Sequence, residues 1–282
     1  MRVISSPNKI RQALIKYKLK GKTIGFVPTM GALHQGHLSL IHQAVRDNDI
    51  TVISIFVNPK QFGPKEDLNK YPRPEEKDLA LCEKAGVDFV FHPKSKDMYP
   101  DNFTTYVSVE GLSQVLCGKS RPGHFAGVAT VVTKLFNIIQ PDIAYFGQKD
   151  AQQSIIIKKM VRDLNIPLKI KVLPTIREKD GLAMSSRNSY LNIAERKKAR
   201  VLSQSLNLAR ILIQNGARDA DRIINRMKAL IKKKAAKIDY VELVDPDTLQ
   251  PLKKISKDYF IVLAVKIGNT RLIDNFQGRC LN

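Results

Sequence analysis

Apolar residues in the first 175 positions switch between two periods, and the switching reads as helix and strand in turn. Ser6-Pro7 opens a helix, with serine as N-cap and proline at the first helical position, running to about Leu19. Residues 23–28 (TIGFVP) form a short apolar strand. Over residues 36–47, Leu38, Ile41, Ala44 and Val45 recur at helical spacing. Residues 50–57 are a continuous run rich in β-branched side chains, the pattern of a strand buried on both faces of a parallel sheet. Helices are expected at 74–85, 125–139 and 150–164, and strands at 88–92, 142–146 and 168–173. Crossovers of helical length join parallel strands, so the fold class is α/β, a parallel sheet with helices on both faces.

After Thr175 the rhythm changes. A basic helical region at about 192–215, then 218–234, precedes strands at 240–244, 259–265 and 270–272. Residues 1–175 and 176–282 are therefore expected to be separate domains, the second a smaller α+β one. No internal repeat or low-complexity segment occurs.

Composition alters this picture little. The 282 residues, 43% hydrophobic and 26% charged, are ordinary for a globular protein and leave room for two small cores. No run approaches the roughly 18 apolar residues of a membrane span. The N-terminal residues lack a signal-peptide core, so a cytoplasmic protein is expected. Cys82, Cys117 and Cys280 are scattered and never paired as C-x-x-C, which argues against a disulfide framework or a cysteine-based zinc site. The formal charge of +21 favours anionic partners. Runs such as Arg196-Lys197-Lys198 sit in helical patterns without interleaved aromatics, so they read as solvated faces and no nucleic-acid partner is expected.

The most informative chemistry lies just after the first expected strand, in Met30-Gly31-Ala32-Leu33-His34-Gln35-Gly36-His37. In an open α/β sheet, ligands bind beyond the carboxyl ends of the strands. His34 and His37, three apart at a helix start, project from one face beside unpaired backbone N–H groups that suit phosphate. Gly36 between them lets a base or ribose approach closely. A pair of surface histidines is the bland alternative, and the strand–loop–helix placement weighs against it. Met184-Ser185-Ser186-Arg187 is alone an ordinary polar loop. Paired with the histidines, its guanidinium and hydroxyls supply what holding the β- and γ-phosphates of ATP requires. The two together resemble the HxGH nucleotidylyltransferase superfamily, whose members perform adenylyl transfer. Asn58 and Gln61 after one buried strand, and Gln153 after Gly147-Gln148-Lys149-Asp150, suit a small hydroxylated acid. Turn formation alone also accounts for Asn58 and Gly147.

The blocks PTMGALHQGH, SIFVNPKQF, Tyr71-Pro72-Arg73, Arg121-Pro122-Gly123-His124-Phe125, GQKDAQQ, MSSRN and Arg271-Leu272-Ile273-Asp274-Asn275 occur in the order found in the pantoate–β-alanine ligase family, the pantothenate synthetases. The resemblance spans nearly the whole chain. It implies ATP-dependent joining of pantoate to β-alanine through a pantoyl adenylate, a Rossmann-like nucleotide- and pantoate-binding domain, a C-terminal lid domain, and a homodimer. It places Met30, Gly31, Ala32, Leu33, His34, Gln35, Gly36, His37, Gly147, Gln148, Lys149 and Asp150 at ATP, Ile176 at the adenine, and Met184, Ser185, Ser186 and Arg187 on the phosphates. Gln61 would hold pantoate and meet β-alanine, and Gln153 would hold pantoate; Asn58, at the same strand end as Gln61, is expected to bind substrate with them. His34, His37, Lys149 and Arg187 are the expected catalytic residues. Mg²⁺ is implied as ATP's partner. No protein metal ligand is assigned, because where the family has metal contacts only Asp78 is available, beside Lys77 and Leu81. An adenylyltransferase acting on a phosphorylated substrate is the alternative, and it has no use for Gln61 and Gln153.

Overall fold

The computed structural model describes residues 1–64, 66–234 and 236–279. In chain order its elements are β1 (Arg2–Ile4), α1 (Pro7–Lys18), β2 (Ile24–Thr29), α2 (Gln35–Asp47), β3 (Ile50–Ile55), α3 (Glu75–Lys84), β4 (Phe89–Phe91), α4 (Ser95–Met98), α5 (Cys117–Ser120), α6 (His124–Ile139), β5 (Ile143–Gly147), α7 (Ala151–Asp163), β6 (Lys169–Leu173), α8 (Ile193–Ala199), α9 (Val201–Gln214), α10 (Ala220–Lys233), β7 (Lys237–Val244), β8 (Tyr259–Ile267) and β9 (Thr270–Gly278). They fall into two compact units. One comprises Met1–Gln114, Arg121–Gln148 and Gln152–Pro174; the other comprises Val115–Ser120, Lys149–Ala151 and Thr175–Asn282.

The first unit holds a six-stranded sheet, order β1-β4-β3-β2-β5-β6, with every pair parallel. Strand alternation sorts its side chains into two layers. Phe26 meets Phe136 of α6 edge-on at 6.4 Å. Its neighbour Val27 packs on the other face with Leu38, Ile41 and Ala44 of α2 and Cys82 of α3. All six residues of β3 are buried, as its continuous apolar run requires. Each such Ile, Val or Phe removed from water contributes about 1.5–3 kcal/mol.

The order matters for function. The chain runs from β2 through α2 to β3 on one side, and later returns with β5 on the other side of β2. Gly25 and Phe26 pair with Ile143 and Ala144. The carboxyl ends of β2 and β5 therefore flank the point where the winding reverses, the place where open α/β sheets bind ligands. The histidine loop follows β2, and Gly147 ends β5.

The second unit packs α9 and α10 on an antiparallel sheet ordered β7-β8-β9. Its core includes Leu206, Ala209, Ile223, Met227, Leu243, Ile261 and Leu263. The helical region expected at 192–215 is two helices meeting at Arg200. Asn192 starts the first with a capping box closed by Glu195. Two strands exceed the sequence reading: β1, which was not expected, is an exposed three-residue edge with too few positions to show a period, and β9 runs six residues beyond Leu272, through Asp274 and Asn275. Cys82 and Cys117 are buried, burial pushing the Cys82 thiol up to about 12; Cys280 lies outside the described residues. Among the described residues no helix is long and apolar enough to cross a membrane.

Candidate functional site

At the end of β2 the backbone makes a turn that few sequences permit. Gly31 has φ +79° and Ala32 φ +51°, two successive left-handed residues. A Cβ on Gly31 would lie 2.9 Å from Asp78 Oδ2 and 3.1 Å from Ile55 Cγ2. Thr29 Oγ1 accepts from Gly31 N at 3.1 Å while donating to the Ser54 carbonyl at 2.7 Å. Asp78, in the first turn of α3 and 1% exposed, then receives the next two backbone donors, Ala32 N at 2.7 Å and Leu33 N at 2.8 Å. Burial raises the pKa of this carboxyl, and the two N–H groups only partly offset that.

The turn delivers His34 as the N-cap of α2. His34 Nδ1 accepts from Gly36 N at 3.1 Å, and His37 Nδ1 accepts from His34 N at 3.4 Å. With both Nδ1 atoms accepting, each neutral ring carries its proton on Nε2. The rings stack, centroids 4.1 Å apart and planes 27° from parallel. The sequence thus builds two ring donors side by side at a helix N-terminus, a combination that favours phosphate oxygens.

Beyond β3, Asn58 caps the 3-10 turn Pro59–Gln61 and is 1% exposed. Its Nδ2 donates to Gln61 Oε1 at 3.0 Å and to the Gly127 carbonyl at 3.1 Å, and its Oδ1 accepts from Tyr99 OH at 2.8 Å. Asn58 thereby fixes which way the Gln61 amide points, and Gln61 Nε2 lies 3.1 Å from Met30 Sδ. Gly127 lets α6 press against this turn: a Cβ there would fall 2.1 Å from the Lys60 carbonyl oxygen.

The Arg121-Pro122-Gly123-His124 block, which sequence reasoning left without a role, grips the same turn. His124 Nδ1 donates to the Gln61 carbonyl at 2.7 Å, and Arg121 donates to that oxygen at 3.3 Å. Arg121 also forks onto Glu66 at 2.5 and 2.6 Å and meets His124 Nε2 at 3.0 Å. A guanidinium only donates and a carbonyl only accepts, so His124 is neutral with its proton on Nδ1. Burial opposes the Glu66 charge, but hydrogen bonds and charge from Arg121 outweigh it and hold that carboxyl below its ordinary range.

After β5, Gln148–Asp150 form a 3-10 turn in which Lys149 Nζ lies 3.3 Å from Asp150 Oδ1. The space around Gly147 is open, with no atom within 4 Å of a Cβ placed there. Gln152 is buried and donates to the Leu112 carbonyl at 2.9 Å, whereas Gln153 is half-buried.

In the second unit, Ile176 and Met184 close a tight hairpin. Met184 N donates to the Ile176 carbonyl at 3.0 Å, and Glu178 N donates to the Leu182 carbonyl at 2.8 Å. Gly181, φ +87°, makes the bend. Asn188, in the next turn of chain, ties itself back to the hairpin by donating to Glu178 at 2.6 Å and to the Ala183 carbonyl at 3.0 Å. Ser185 caps the 3-10 turn Ser186–Tyr190 by accepting from Arg187 N at 3.3 Å.

Both oxygens of Asp78 face backbone donors. Among the described residues no group of three or more His, Cys, Asp or Glu side chains stands in position to hold an ion.

Comparison with known proteins places these features in a family. The family model described as pantoate-beta-alanine ligase matches residues 2–277. The pantothenate synthetase of Caldicellulosiruptor saccharolyticus is 56% identical over 276 residues, spanning 98% of each chain. That of Acetivibrio thermocellus is 56% identical over 279 residues, again 98% of each. Among solved structures, pantothenate synthetase from Thermus thermophilus matches with TM-score 0.93 and 45% identity, covering 98% of this chain and 99% of that one. Pantoate-beta-alanine ligase from Francisella tularensis, complexed with beta-gamma ATP and beta-alanine, matches with TM-score 0.81 and 38% identity over 98% and 97%.

Proposed function

The chain belongs to the pantoate-beta-alanine ligase family, and from that premise we infer how its residues perform the reaction. It is an ATP-dependent ligase that joins pantoate to β-alanine, giving pantothenate, AMP and pyrophosphate through a pantoyl adenylate. The observation that carries the assignment of roles is the stacked His34–His37 pair at the N-terminus of α2, placed at the sheet's winding reversal.

A pantoate carboxylate oxygen attacks the α-phosphorus, and the bond to the β-phosphate's bridging oxygen breaks. The amine of β-alanine then attacks the acyl carbon, loses a proton, and AMP departs with the carboxylate oxygen. No covalent enzyme intermediate is required, so the protein contributes positioning and charge stabilisation. We assign the Nε2–H groups of His34 and His37 to the α-phosphate, since pyrophosphate leaving with a metal ion needs no strong acid. Lys149 and Arg187 are assigned to the charge that develops on the departing pyrophosphate, with Ser185 and Ser186 beside it. Residues 30–37 and 147–150 hold ATP, and Ile176 and Met184 meet its base and phosphates. Gln61 and Gln153 hold pantoate, and Asn58 acts through the Gln61 amide that it orients. Mg²⁺ enters on ATP, coordinated by phosphate oxygens and water, and is part of the substrate.

The division into a nucleotide- and pantoate-binding domain and a C-terminal lid, a homodimeric state and a cytoplasmic location belong to the same proposal. Pantoate-dependent exchange of labelled pyrophosphate into ATP, with β-alanine omitted, tests it. Exchange that needs pantoate supports the adenylate, and its absence from active enzyme contradicts it.

A further inference from the structure

No residue of the block at 271–275 is among those assigned to adenylate formation. We propose that Asn275 is a positioning residue that sets Lys149, anchored by the Asp274–Arg177 ion pair, which ties the same strand to the hairpin bearing Met184. This rests on the reading of Lys149 as a group acting on ATP.

Asp274 and Asn275 lie within β9, 2% and 6% exposed, paired with Leu263 and Val262 of β8. Polar groups buried in a strand are costly unless each is satisfied. Asp274 accepts a guanidinium fork from Arg177, Oδ2 from Nη1 at 2.7 Å and Oδ1 from Nη2 at 2.9 Å, and its Oδ1 also takes Asn275 N at 2.8 Å. Arg177 Nη1 reaches the Gly181 carbonyl at 3.1 Å, so one guanidinium closes the bend of the 176–184 hairpin and fastens it to β9. Asn275 Nδ2 donates to the Lys149 carbonyl at 2.9 Å. Adjacent residues of one strand thus hold two segments distant in sequence, both within the second unit.

Stability alone does not call for this arrangement. An apolar pair of similar volume often matches or exceeds a buried ion pair in stability, and what it lacks is direction. A bidentate fork and an amide-to-carbonyl bond fix angles as well as distances. Held at its carbonyl, Lys149 has its backbone tied to the strand, while its side chain reaches Asp150.

The test is a mutant cycle on Lys149→Ala and Asn275→Ala, read as kcat of pantoate-dependent pyrophosphate exchange with the pantoate KM measured alongside. Asn275→Ala is expected to lower kcat about tenfold with pantoate KM little changed, and the double variant to be no slower than Lys149→Ala alone, because groups acting as a unit are non-additive. Asn275→Asp, nearly isosteric but without the donor, is read in the same cycle and replaces the alanine variant if that one does not fold. Wild-type turnover in the Asn275 variants, or losses that multiply in the double variant, would overturn the positioning role. Wild-type turnover in Lys149→Ala would instead overturn the assignment of Lys149, and this inference with it.

Discussion

Both oxygens of Asp78 are engaged by the Ala32 and Leu33 amides, so this carboxylate shapes the loop before the histidines. The loop in turn leaves His34 and His37 with their Nδ1 atoms occupied and Nε2 as donor. On this account His37→Ala, Lys149→Ala and Arg187→Ala each lower kcat by about 10²–10³-fold, the loss seen when one donor to developing charge is removed. Steady-state kinetics at saturating substrates check this, and a variant turning over near the wild-type rate removes that residue from the catalytic set. The histidine motif was legible because a strand, a loop and a capped helix start succeed one another along the chain. The gripping of Gln61 by Arg121 and His124 was not, since the partners stand some sixty residues apart and only packing brings them together. Asp78 was hidden likewise, its donors 45 and 46 residues away.

At the scale of elements, the contact between α6 and the Pro59–Gln61 turn sets Gln61. The helix comes close because Gly127 has no side chain to meet the Lys60 carbonyl. Gly127→Ala should therefore act on pantoate rather than on ATP. A melting curve is expected to show a loss of about 1–3 kcal/mol from overpacking, and kinetics a raised pantoate KM with ATP KM little changed. An unchanged pantoate KM would show that the turn does not set the pantoate site. The long periodic elements were legible, from the proline-started α1 to the wholly buried β3. β9 was read as a third of its length because Asp274 and Asn275 break its apolar pattern. The same polar residues that obscure the strand are the ones through which it holds Arg177 and Lys149.

For the whole molecule, the alternation of periods predicted the parallel sheet and the α+β C-terminal unit, and both are present. Strand order was not legible, because it depends on which side of β2 the chain returns to, and no local period records that choice. Yet the order is what brings the segments after β2 and β5 to neighbouring strand ends. The net charge of +21 favours the anions of the reaction, ATP, pantoate, pantothenate, AMP and pyrophosphate, whereas β-alanine is a zwitterion. The central claim is the full reaction, and the most direct measurement is mass-spectrometric detection of products from purified protein with ATP, Mg²⁺, pantoate and β-alanine, each omitted in turn. Pantothenate and AMP forming together only in the complete mixture is the predicted result; no pantothenate from folded protein that binds ATP, or ADP in place of AMP, would contradict it.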